Sequence, residues 1–296
     1  MPQRSSPAPP RTSTPEPPPT VSARWLVAAF ALTLLLAALC GYASLGLLFY
    51  QGQWQLLFHP SRAITATPAT VGLPYQEIHF DVTDTGRPRL DAWWIPASPG
   101  ARYAADTLLY LHDARGSLSD TVPALSDLHA LGLNIFAIDY QGFGHSIGRH
   151  PTERLAADDS AAAWTYLTDE RHIPARSLVV YGDGAGAVFA ARLSATFAPA
   201  AVILEDPPPP ARQVFASDAR VRLLPLWLLQ KEFLDPSADL AHSHVPLLFL
   251  ARDGDEPRTR QLFRLASDPK QFYDLRSAPS SLVSPALTRF LDPLLR

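Results

Sequence analysis

The chain has 296 residues, enough for one domain of ordinary to large size with a full core. Hydrophobic residues make up 47%, high for a wholly soluble protein, and a formal net charge of -3 excludes the basic balance that a nucleic-acid partner requires. The single cysteine, Cys40, excludes an intrachain disulfide framework and a cysteine-based metal site.

Residues 1–23 are rich in Pro, Ser and Thr and nearly free of apolar side chains. Such a segment buries too little surface to offset its ordering entropy, so disorder is expected there. Residues 25 to 61 then contain no charge, and a transmembrane helix is expected over 24–50. Trp25, Tyr42 and Tyr50 lie toward its ends, where amphipathic rings favour the membrane interface. Arg4, Arg11 and Arg24 outweigh Glu16 ahead of the helix. The positive-inside rule therefore puts the N-terminus in the cytoplasm and the large domain on the non-cytoplasmic side, the periplasm in a Gram-negative cell. The bilayer is thus the expected partner of residues 25–50. A cleaved signal peptide is the alternative, with a weak site at 41–44, but the apolar run is long for one. Lipidation of Cys40 is disfavoured by the bulky Leu39 before it.

Residues 51–74 are expected to form a juxtamembrane linker. Its first part, 51–60, is aromatic and uncharged, which suits either the membrane surface or packing on the domain. From residue 75 to 296, strands alternate with helices. Residues 75–82 and 89–96 alternate apolar and polar like a half-buried antiparallel pair. The runs at 107–113, 134–140, 177–183, 201–207, 246–252 and 271–277 follow, the middle ones nearly continuous in apolar residues, as in parallel strands covered on both faces. Helix-like stretches at 117–132, 152–170 and 185–197 separate them, which predicts an α/β fold with a mostly parallel central sheet, helices on both faces and right-handed crossovers. Residues 211–245 would form a short cap over the sheet's C-terminal edge, where ligands bind in open α/β sheets.

Four motifs and one absence carry a resemblance. Asp139-Tyr140-Gln141-Gly142-Phe143-Gly144-His145-Ser146-Ile147-Gly148, followed by Pro151-Thr152-Glu153, is a glycine-rich turn at a strand end. Leu111-His112-Asp113-Ala114-Arg115-Gly116-Ser117 follows an earlier strand. Gly182-Asp183-Gly184-Ala185-Gly186 stands at a strand-to-helix junction. Pro246 to Pro257 ends in Arg252-Asp253-Gly254-Asp255-Glu256. After the last strand comes Arg276-Ser277-Ala278-Pro279-Ser280-Ser281, and the last histidine in the chain is His244.

Together these resemble the α/β-hydrolase superfamily over residues 58 to 281, and most nearly its bacterial, single-span, serine-aminopeptidase-like or lysophospholipase-like branch. The resemblance implies a Gly-x-Ser-x-Gly nucleophile elbow at 182–186, in which Gly184 occupies the serine position without a hydroxyl. It implies an oxyanion loop of His112, Asp113 and Ala185, in which Asp113 replaces a glycine and opposes a developing oxyanion. Asp255 takes the triad-acid position, with Asp253 its near rival, and Ser280 falls where the family histidine belongs. A carboxylate nucleophile at Asp183 is disfavoured because that residue is one place off the elbow tip. The glycine-rich turn at 139–148 supports the fold and hardly any catalysis.

The expected protein is therefore a membrane-anchored α/β-hydrolase-fold chain that has lost hydrolysis and binds, scaffolds or regulates, its partner a protein or a lipid-like ligand. Its rival is an active esterase, lipase or peptidase with a rewired site using Asp183, Asp113, His112 or His145. No cofactor and no metal are expected; His242 and His244 flank a serine but have no recognisable ligand companions.

Overall fold

In a computed structural model, describing residues 21–82, 85–252, 256–276 and 283–295, the apolar runs assemble into one eight-stranded sheet. Its strands are β1 (Gln76–Val82), β2 (Pro88–Ile95), β3 (Thr107–Leu111), β4 (Asn134–Asp139), β5 (Leu178–Asp183), β6 (Ala201–Glu205), β7 (Leu247–Ala251) and β8 (Lys270–Asp274). The spatial order is 1-2-4-3-5-6-7-8. Only β2 runs against its neighbours, pairing antiparallel with β1 and with β4. The remaining pairs are parallel, with Leu109 opposite both Phe136 and Val180. Every residue of β3, β6 and β7 is buried, which is why those strands read as unbroken apolar runs rather than alternating ones.

Side chains alternate between two cores. Leu109, Phe136, Val180 and Phe249 pack under α3 (Glu153–Thr165) and α4 (Gly186–Thr196). Leu108, Ile135, Val179 and Leu248 pack under α2 (Val122–His129) and α9 (Val283–Leu291). Between β6 and β7 the cap consists of three short helices, α5 (Ala211–Ser217), α6 (Leu226–Leu229) and α7 (Ser237–His242). Two helices were not anticipated from sequence. One is α9; the other is α8 (Glu256–Leu265), which carries Arg258, Arg260 and Arg264 and so hides a narrow apolar side at Leu262.

The chain divides into two units, one ending at Leu48 and the other beginning at Phe49. Helix α1 (Ala23–Gly52) contributes most of the first. At 30 residues it is ~45 Å long, enough to cross a hydrocarbon core of about 30 Å. Trp25, Leu26, Val27, Phe30 and Leu36 on it are all exposed.

The segment expected as a linker, 51–74, lies within the second unit. Leu57 and Phe58 are core residues, and His59–Pro60 forms a parallel bridge with Arg115–Gly116. Aromatic residues without charge suit a protein core as well as a lipid surface, so composition could not decide the matter. Of the disorder expected over residues 1–23, residues 1–20 lie outside the described residues, and Ala23 already opens α1.

Candidate functional site at the end of the central strands

Strand β5 ends at Asp183 and α4 begins at Gly186, so the chain reverses within two residues. Gly184 sits at the turn with φ +54°, a left-handed conformation that glycine adopts without cost. Its N–H donates to the Glu205 carbonyl at 3.0 Å, and its own carbonyl accepts from Ala187 at 3.1 Å. The flanking glycines are there for contact. A Cβ on Gly182 would collide with the Gly186 carbonyl oxygen, and one on Gly186 with the Leu111 carbonyl oxygen. The strand-turn-helix elbow is therefore shaped as the sequence implied.

Asp113 follows β3 and reaches this turn. Its Oδ1 accepts the Ala185 N–H at 2.8 Å. A Cβ built on Gly184 would collide with the same carboxylate, lying 2.5 Å from Asp113 Cγ and 2.9 Å from Asp113 Cβ. The carboxylate thus fills the space where a side chain at 184 would stand. Asp113 is not among the residues with positive φ, so its replacement of a glycine costs no backbone strain there. The backbone at Asp113 is ordinary, and its carboxylate has a definite partner in the Ala185 N–H.

His112 points the other way. It is fully buried, its Nδ1 lies 2.6 Å from the Asp113 carbonyl, and its Nε2 lies 3.4 Å from Asp139 Oδ1. Its ring packs against Tyr140 at 4.6 Å and Phe143 at 4.9 Å. It is a core residue that ties the end of β3 to the glycine-rich turn. His145 lines a separate small cavity together with Asp91 and Asp139, away from Gly184. Asp255, its rival Asp253, and Ser280 lie outside the described residues.

The elbow opens into a cavity of about 660 Å³. Asp113, Asp183, Gly184, Ala185 and Asp206 line one part of it, and Leu56, Leu57, Val214 and Leu234 supply apolar wall. Among the described residues, the one histidine on this cavity is His59. Sequence reasoning missed it because it precedes the first strand and belongs to no motif.

The acidic group here was also only partly legible. In the β5–β6 register Asp183 lies opposite Glu205. Asp183 is pushed up to about 7, first by burial and then by the charges of Glu205 and Asp113; an O–H from Tyr110 at 3.3 Å opposes the rise. Burial also raises Glu205, against a hydrogen bond from Tyr181 and an ion pair with Arg252 at 3.2 Å. Asp206 adopts φ +44°, and its Oδ1 accepts the Arg252 N–H at 2.9 Å.

The glycine-rich turn is held from outside this cavity. Arg62 donates to the carbonyls of Gly144, Ser146 and Gly148. Ser146 donates to the Asp139 carbonyl at 2.6 Å and accepts the Asp91 N–H at 2.9 Å. Glu153, which follows the turn, accepts the N–H groups of Phe233 and Leu234 and pairs with Arg192, so it fastens the cap.

The strand order, the lone antiparallel strand β2, the elbow after β5 and the cap between β6 and β7 define an α/β-hydrolase fold. The comparisons agree. The structure superposes on the Pyrococcus furiosus esterase Pf2001 with a TM-score of 0.61 and 17% identity, covering 81% of this chain and 98% of that one. In sequence it is 28% identical to the uncharacterized protein Rv2307c of Mycobacterium tuberculosis over 229 residues, 74% of this chain and 77% of that protein. It is 36% identical to the human alpha/beta hydrolase domain-containing protein 17B over 123 residues, 40% of each. No family model matches the chain.

Proposed function

We propose that this chain is a membrane-anchored α/β-hydrolase-fold protein that no longer hydrolyses and instead binds a ligand in the cavity above its elbow. The observation that carries this reading is Gly184 at the elbow tip with the Asp113 carboxylate in the adjoining space, bonded to the Ala185 N–H. A serine triad needs a nucleophile, a base and an orienting acid acting as a unit. Loss of the serine or histidine alone costs on the order of 10⁶ in kcat in a serine protease. In this chain the nucleophile position has no hydroxyl and no histidine follows His244. The N–H that would stabilise an oxyanion already serves a carboxylate, which opposes a second negative charge. The apolar wall and the acidic group together suit an amphipathic ligand or a peptide segment.

Helix α1 would anchor the domain to the bilayer, with the N-terminal arginines holding the N-terminus in the cytoplasm. The protein is then expected to fractionate with membranes; recovery of the uncleaved chain in the soluble fraction would remove the anchor.

The test of inactivity is labelling of the full-length protein by a fluorophosphonate probe, alongside turnover of a p-nitrophenyl ester. No labelling and no turnover are expected, and none from Gly184→Ser. Turnover that disappears in Asp255→Asn would show a working charge constellation and overturn the reading. A rewired hydrolase is the second reading, favoured by one observation: His59 and Asp183 line the same cavity. Turnover lost in both His59→Ala and Asp183→Asn would establish it.

A further inference from the structure

The cap carries an apolar surface that the cavity does not use. Trp227 is 83% exposed, Leu228 63% and Phe233 55%. Isolated exposed apolar side chains are ordinary, but here two large aromatics and a leucine fall within seven residues of sequence, and Trp227 and Phe233 face the same open hollow in the cap. The residues between them are fixed to the foot of α1. Gln53, itself buried, donates to the Leu229 carbonyl at 3.1 Å and accepts the N–H groups of Lys231 at 2.7 Å and Glu232 at 3.1 Å. The Lys231 ammonium lies 3.8 Å from the centre of the Tyr50 ring, and Phe49 packs edge-on against Phe215 of the cap. Trp227 is two residues from Leu229, so its backbone lies within about 7 Å of that anchoring point.

We infer that this face of the cap, built on Trp227, Leu228 and Phe233, rests in the lipid interface of the bilayer that α1 crosses. The inference depends on α1 being membrane-spanning, as proposed above. At ~45 Å, α1 matches the depth of a bilayer with its headgroup layers, so a helix crossing from Trp25 brings its foot at Tyr50–Gly52, with Gln53 just beyond, to the far headgroup layer. The segment clamped to that foot therefore stands at the depth of the headgroups. Tryptophan and phenylalanine beside a lysine suit that layer, the rings entering the boundary and the ammonium staying among the headgroups. A soluble partner would need no such coincidence between the patch and the end of an apolar helix.

The test uses the full-length protein in bilayers of phosphatidylcholine and phosphatidylglycerol. Cys40 is the only cysteine, so Cys40→Ser gives a background for single nitroxide labels at Trp227→Cys, Leu228→Cys and Phe233→Cys. Leu36→Cys reports on α1, and Val82→Cys, 63% exposed at the end of edge strand β1, is the aqueous reference. The ratio of spin-label accessibility to oxygen over that to a nickel chelate is expected to be several-fold higher at 227, 228 and 233 than at 82, and highest at 36. A lipid-like value at 36 with water-like values at the three cap positions would overturn the inference and leave the anchor standing. A water-like value at 36 would remove the anchor and the inference with it. Low access to both relaxants at the cap, with spin–spin broadening, would show a second copy of the chain covering the patch and also overturn it.

Discussion

Two turns at the C-terminal edge of the sheet have fared differently. The glycine-rich turn after β4 is held by three carbonyl contacts from Arg62 and by Ser146 bridging Asp139 and Asp91. The elbow after β5 keeps an equally tight frame, Gly182 against Gly186 and Gly186 against Leu111. Yet its tip, Gly184, offers no reactive atom, and the acid beside it holds a backbone N–H. The frame of a turn is fixed by packing, where one added methyl group collides with a neighbour. At the tip the nearest obstacles are atoms of one side chain, Asp113, rather than backbone, so the residue there is held less rigidly than the glycines of the frame. An α/β-hydrolase fold can thus outlast its proposed loss of chemistry, because different physical demands hold the two.

The strongest way to break this comparison is to attack the frame. Gly186→Ala would drive a methyl group into the Leu111 carbonyl oxygen, and a loss of about 3 kcal/mol in folding stability is expected. Urea titration of the full-length protein in detergent measures it. A change within about 0.5 kcal/mol, the range of an ordinary surface substitution, would show that the frame is not what packing demands. Next comes Arg62→Ala at the other turn. It leaves three carbonyls to find water, and about 2 kcal/mol should be lost, with faster amide exchange over 142–148 and little change over 182–186. Equal exchange in both turns would mean that they are not independently held.

Much of this was open to inspection in the sequence, and the gaps have physical causes. The central strands were legible because a parallel strand buried on both faces must be apolar throughout, as Leu247–Ala251 is. The elbow was legible because only glycine tolerates the contacts at 182 and 186. Helix α8 was not, since its arginines outnumber the residues it buries as apolar core. The Arg62 clamp was not, because its partners lie more than eighty residues away. Asp113 was flagged as the wrong residue for an oxyanion loop, but sequence could not say that its carboxylate would reach the Ala185 N–H.

A smaller effect separates the two turns by pH. Asp183 is raised to about 7 in the folded chain, mainly by burial and then by Glu205 and Asp113, so between its ordinary value and about 7 the folded state holds a proton that the unfolded chain has released. Its contribution is therefore fully present below about pH 4 and is lost as pH rises through about 7, so stability falls across that window. Asp159, beside the glycine-rich turn and raised to about 6, and Glu205, also raised, act in the same direction. Asp183→Asn isolates one share: the variant should lose less stability than the native chain between about pH 4 and about pH 7. Parallel stability curves for the two proteins would show that Asp183 titrates normally and that the acids at the elbow are well solvated.

The finest test concerns the tip itself. In Gly184→Ser the new Cβ meets the Asp113 carboxylate, and the left-handed φ adds a further cost, so about 1–3 kcal/mol of stability should be lost. Asp113→Gly alone frees the Ala185 N–H and removes one neighbour that raises Asp183. If the carboxylate occupies the space as described, the double variant should be more stable than the sum of the two single effects by about 1 kcal/mol. Additivity would mean that Asp113 swings aside freely and that a serine at 184 is excluded by something else. The same double variant also sharpens the functional reading. With hydroxyl and N–H both restored, fluorophosphonate labelling should still fail, because Ser280 supplies no base after the last strand. Labelling of the double variant but not of Gly184→Ser would assign the block to Asp113 alone and reveal a base elsewhere on the cavity, where His59 stands.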